Sequence, residues 1–94
     1  MNNDHIFPED SLDFHDQGKL SPYDIEVMTN RFIEDCYIKG FSTIEIITGV
    51  GYRSEKGPVV KPLVLKLIKN NQHVKSFKTH PFKGEGSLLI YLKE

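Results

Sequence analysis

Apolar residues recur along this chain with two different periods, and the switches between them mark six elements. Ser11-Leu12-Asp13-Phe14-His15 alternates apolar and polar positions, the period of a half-buried strand. Asp16-Gln17-Gly18-Lys19 breaks the alternation with turn-forming residues. Ser21-Pro22 then opens a helix. Ser21 suits the N-cap, proline suits the first helical position, and Asp24 and Glu26 suit the positive end of the helix dipole. Ile25, Met28, Phe32, Ile33 and Cys36 recur at helical spacing, and Gly40 after Lys39 supplies the stop. Thr43 to Thr48 is dense in β-branched residues and reads as a second strand running into Gly49-Val50-Gly51. Val60, Leu63, Val64, Leu67 and Ile68 outline a second helix, with Pro62 early in it and Asn70-Asn71 closing it. Val74 to Phe77 and Ser87 to Leu92 read as third and fourth strands, the last entered through Lys83-Gly84-Glu85-Gly86.

The order strand, helix, strand, helix, strand, strand predicts an α/β fold. Alternating strands and helices imply parallel neighbours joined by right-handed crossovers. Two helices suffice to cover one face of four strands, so the expected architecture is a two-layer sandwich with a four-stranded mixed sheet. A length of 94 residues allows one small domain. Residues 1–10 read as a flexible acidic segment, with Pro8 discouraging regular structure, and 11–94 as the domain itself.

Charge changes this picture more than composition does. The formal net charge is only −1, yet residues 1–35 hold nine acids against two bases, and 36–94 hold ten bases against four acids. Between Arg53 and Lys83 eight bases face Glu55 alone. Binding follows the local patch and not the total, so a basic half is open to a nucleic acid despite the near-neutral sum. The single cysteine, Cys36, excludes an internal disulfide and any cysteine-based zinc site, and its place on the apolar stripe marks it as core. No apolar run approaches the ~20 residues of a membrane span, and the first residues lack the pattern of a signal peptide. A cytoplasmic protein with no membrane partner is expected.

Parallel strands bring their carboxyl ends to one rim, where sites in such sheets collect. Asp13 and His15 stand at the end of the first strand, two apart and therefore on one face. A carboxylate beside an imidazole suits general acid–base work near neutral pH; it also suits a structural pair that caps a loop. Gly49 and Gly51 follow the second strand, where their N–H groups can cradle a phosphate or simply form a tight turn. Arg53, Lys56 and Lys61 come next, placed to meet a phosphate held there, and Lys83 in the last loop approaches the same rim. Tyr52 is placed to stack on a base or to cover the loop. His73 suits the end of the second helix as a cation, and His80 reads as a turn residue. The histidines and acids show no metal-ligand spacing.

Taken together, these segments resemble the Smr (small MutS-related) family. Leu12-Asp13-Phe14-His15 matches its Leu-Asp-x-His signature, and Thr48-Gly49-Val50-Gly51 its Gly-x-Gly signature. Gly57 to Val64 resembles its entry into the second helix, and Gly84 to Leu92 its glycine-rich step into a terminal strand. The resemblance spans about residues 11–94 and implies a fold like the C-terminal domain of bacterial translation initiation factor three. It implies a nucleic-acid-binding domain with RNA or DNA as partner, in some members on the ribosome, and in several members an endonuclease. Carried over by position, it implies that Asp13 and His15 serve cleavage and that Thr48, Gly49 and Gly51 serve substrate binding. Cleavage of RNA through its 2′-hydroxyl needs no cofactor, whereas a DNA substrate calls for activated water and a Mg²⁺ ion. The chain departs from the family pattern at Asp16, where glycine is usual, and in a longer loop before Ser21. The alternative to an endonuclease is a module that binds RNA, the ribosome or a protein without cutting.

Overall fold

The computed structural model describes residues 6–14, 17, 20–49 and 60–94. Six elements follow in the expected order: β1 (Ser11–Asp13), α1 (Pro22–Ile38), β2 (Thr43–Ile47), α2 (Val60–Lys69), β3 (Val74–His80) and β4 (Gly84–Leu92). The sheet runs β1-β2-β4-β3. β1 is parallel to β2, while β4 is antiparallel to both β2 and β3, so the sheet is mixed as expected.

Helix α1 begins where its capping chemistry places it. Ser21 Oγ accepts from the Asp24 amide at 3.0 Å, and the Asp24 carboxylate accepts from the Ser21 amide at 3.2 Å, a reciprocal capping box. Its apolar stripe delivers Ile25, Ile33 and Cys36 into a core that also takes Phe14, Ile44, Ile46, Val64, Ile68, Leu88, Ile90 and Leu92. Both helices therefore cover one face of the sheet. β4 is central, and every residue from Ser87 to Leu92 is buried.

Several boundaries differ from the expectation. β1 ends at Asp13 and β2 at Ile47, each short of the expected run. Backbone pairing with β2 starts before β1: the Glu9 amide donates to Thr43 O at 2.8 Å, and the Glu45 amide donates to Asp10 O at 3.0 Å. The Glu9 carboxylate also accepts from the Ser42 amide at 2.7 Å, capping the entry to β2. The acidic lead-in is thus tied down at its end because one of its acids finds orphan donors. β3 extends beyond Phe77 to His80, and β4 starts at Gly84 rather than Ser87. The hairpin between them pairs through backbone groups, which polar residues such as Lys78 and Thr79 supply as well as apolar ones.

Burial pushes the Cys36 thiol up to about 11, reinforced first by the negative charge of Asp10. A thiolate is the reactive form, so native Cys36 is expected to react with an aromatic disulfide reagent at pH 8 on the order of 100-fold slower than in denaturant. Absorbance of the released thiol measures this, and equal rates in both states contradict the burial.

Candidate nucleic-acid interface

The parallel pair β1–β2 puts the ends of its strands side by side. Asp13 is in register with Ile47, and the Phe14 amide donates to Ile47 O at 2.8 Å. Leu12 packs against the core and Phe14 lies within it, so the pleat turns Asp13 to the opposite, helix-free face. Gln17 folds back onto the strand end, its amide donating to Phe14 O at 3.3 Å and its Nε2 to Asp13 O at 3.0 Å. Thr48 and Gly49 follow Ile47 directly, so the structure brings Asp13, Thr48 and Gly49 to one rim. His15, Gly51, Tyr52, Arg53 and Lys56 lie outside the described residues.

The Gly49 amide is not open to a phosphate. The Thr48 and Gly49 amides both donate to Gly86 O, at 2.8 and 3.0 Å, and the Thr48 hydroxyl lies 3.2 Å from Gly49 O. These bonds lash the end of β2 to the start of β4, which corrects the expectation that Gly49 offers its own N–H to a ligand. The physical reason is pairing: just beyond the last ladder pair, Ile47 with Ser87, both amides converge on Gly86 O and that donor is consumed. Gly49 is needed instead for its backbone, at φ 76° in the left-handed region. Gly49→Ala is expected to cost about 1–2 kcal/mol, the strain of an L-residue in that conformation. A urea melt checks this, and an unchanged midpoint argues against the left-handed turn.

Lys61 and Lys83 both reach this end of the sheet, and each is engaged. Lys61 Nζ donates to Glu85 O at 2.7 Å, fastening the start of α2 over the start of β4. Lys83 Nζ lies 2.9 Å from Glu45 Oε2 and 3.3 Å from Oε1. An ammonium carries three donors, so each lysine keeps N–H capacity for a further acceptor.

Glu45 was not singled out by its sequence, although it is the lone acid in the β-branched run Thr43–Ile47. It is 1% exposed on the helix-free face of the sheet. Ser11 Oγ donates to its Oε1 at 2.9 Å, and the Ser87 hydroxyl donates to its Oε2. One carboxylate thereby joins β1, β4 and the turn before β4. Burial pushes the carboxyl up, but hydrogen bonds from Ser87, Lys83 and Ser11, together with the Lys83 charge, outweigh it and hold the group below the usual glutamate range.

The remaining histidines separate. His80, expected in a turn, is the last residue of β3 and is 6% exposed. Its Nδ1 accepts from the amides of Phe82 at 3.1 Å and Lys83 at 3.2 Å, so the neutral ring carries its proton on Nε2. His73 belongs to the opposite end of the sheet. Its Nε2 lies 2.9 Å from Glu34 Oε1 and its ring stacks on Tyr37 at 3.9 Å, a contact between β3's start and α1 rather than an interaction with the α2 dipole alone. Among the described residues no group of three or more histidines, cysteines or acids could hold a metal ion. Among them also, no helix is long and apolar enough to cross a membrane.

The family model described as the Smr domain matches residues 12–93, nearly the whole chain. The chain belongs to the Smr family. Smr domains as a family bind nucleic acid. Among solved structures, this Smr chain is similar to the Smr domain of Thermus thermophilus MutS2, with a TM-score of 0.71 and 17% identity. That alignment covers 89% of this chain and 95% of the other. It is also similar to YdaL, a stand-alone small MutS-related protein from Escherichia coli, with a TM-score of 0.74 and 21% identity over 89% of this chain and 64% of YdaL. At these identities the two structures establish the shared fold. No curated protein matches the sequence.

Proposed function

We propose that this Smr domain binds nucleic acid across the rim formed by the ends of β1 and β2 and the start of β4, and cleaves a phosphodiester there. The observation that carries the proposal is the register of Asp13 with Ile47, which joins the Leu-Asp-x-His segment to the Thr-Gly-x-Gly segment. Asp13 orients the imidazole of His15, the general base. On RNA, His15 takes the proton of a 2′-hydroxyl, the 2′-oxygen bonds to phosphorus, and the bond from phosphorus to the 5′-oxygen breaks. The proton on the imidazole then passes to the leaving oxygen. Arg53 and Lys56, with the backbone N–H of Gly51, stabilise charge on the phosphoryl oxygens; Lys61 and Lys83 add positive potential at the same end. Two features of α2 support the placement: its N-terminus opens at this end, and its first turn holds no acid.

The same substrates given as RNA, as a 2′-deoxy version and as branched DNA, each with and without EDTA, test the mechanism. Cleavage of RNA alone, indifferent to EDTA, is the expected result. EDTA-sensitive nicking of DNA replaces it with water activated by Mg²⁺. Salt-sensitive binding with every substrate intact leaves a binding module.

A further inference from the structure

Three aromatic rings stand well exposed among the described residues: Phe7, Tyr23 and Phe82. Phe7 is followed by Glu9 and Asp10, and Tyr23 by Asp24 and Glu26, surroundings that repel a phosphate chain. Phe82 differs. It is 79% exposed at the tip of the β3–β4 hairpin, in a stretch where Lys75, Lys78 and Lys83 face Glu85 alone.

The tip is also held in place. Pro81 precedes the ring, and His80 Nδ1 accepts from both the Phe82 and Lys83 amides. The His80 ring lies tilted at 57° with its centroid 6.3 Å from that of Phe82. Lys83 is anchored on Glu45, and Lys78 Nζ lies over the Tyr91 ring at 5.9 Å. Gly84, at φ 80°, returns the chain into β4. An apolar ring presented to water on a tied-down turn has little backbone freedom left to lose on binding.

We infer that Phe82 is a stacking platform for an unpaired nucleobase, with Lys83 and Lys78 meeting phosphates of the strand on the sheet side of the ring. The inference rests on the proposed nucleic-acid interface and extends it. The hairpin tip lies at the same end of the sheet as Asp13, with β2 and β4 between β1 and β3. A single strand entering the rim can therefore run over β2 and β4 to reach the ring. Bases in a duplex are already stacked on one another, so the platform favours single-stranded segments and loops over paired ones.

Fluorescence anisotropy with a labelled single-stranded oligonucleotide and a duplex of equal length tests this. Phe82→Ala is expected to weaken single-strand binding about 5- to 100-fold, the range typical of one lost base–aromatic stack, and to change duplex binding less than 2-fold. Phe82→Trp is expected to retain affinity, with its emission quenched by the single strand. The side chain is exposed, so thermal melts of both variants should overlay the parent. Unchanged single-strand affinity in Phe82→Ala overturns the platform, as it would if the ring were an anchor for a protein. An equal loss on both substrates overturns it too. If the parent protein binds neither nucleic acid, the proposed interface itself fails, and the two failures are thereby told apart.

Discussion

Replacing His15 by alanine is expected to lower RNA cleavage on the order of 10²- to 10⁴-fold, the typical worth of a positioned general base, while binding stays within a few-fold. The split between the two readouts is what identifies the role. A residue that holds substrate moves binding and cleavage together, whereas one that moves a proton changes only the rate. Lys61→Ala provides the contrast: it removes a charge from the rim and is expected to weaken binding and flatten its salt dependence. Undiminished turnover in His15→Ala removes this histidine from the mechanism, and the cleavage then belongs to other groups.

The largest effect on stability is expected at Glu45. Glu45→Ala deletes a buried carboxylate that three side chains reach, and leaves the Ser87 hydroxyl, 2% exposed, without its acceptor. Loss of these bonds is expected to cost about 2–4 kcal/mol. For a domain of this size that lowers Tm by roughly 10–25 °C. Glu45→Gln keeps the shape and loses the charge, so it should fall between alanine and the parent.

The comparison also has a pH signature. The folded Glu45 carboxyl sits below its unfolded value, because its hydrogen bonds and the Lys83 charge outweigh the effect of burial. The charged form is therefore favoured in the folded state. Its contribution is fully present above the unfolded value of about 4.3 and is lost as pH falls through the lowered folded value. The stability gap between the parent and Glu45→Gln should be constant from neutral pH down to about 5 and close below about 4. Denaturant melts across that range measure it, and a gap that persists unchanged into acid removes Glu45 as an ionised clamp.

Much of this molecule was legible from local signals, for reasons particular to each. Ser21, Pro22 and Asp24 announced the start of α1 because a helix end must satisfy its own amides within one turn. The alternation of Leu12 and Phe14 and the β-branched Thr43–Ile47 announced neighbouring strands, and their order implied the parallel crossover. The ends of β3 and β4 were less legible. A hairpin ladder is built from backbone groups, and the side chains of Lys78, Thr79 and Glu85 carry little trace of it. The site was legible as segments but not as donors and acceptors, since nothing local to Gly49 shows that Gly86, thirty-seven positions later, occupies its amide.

The sequence by itself determined the element order, the apolar stripes that form the core, the basic character of the later half and the family motifs at two strand ends. These follow from contacts within a few residues or from composition. Only the tertiary structure decided which polar groups meet. It set Glu45 between Ser11, Ser87 and Lys83, closed the end of β2 onto Gly86, and raised Phe82 on a turn held by His80. Such pairings depend on the register between distant strands. A shift of one residue in that register sends each side chain to the other face, and register comes from the packing of the whole sheet rather than from any one segment.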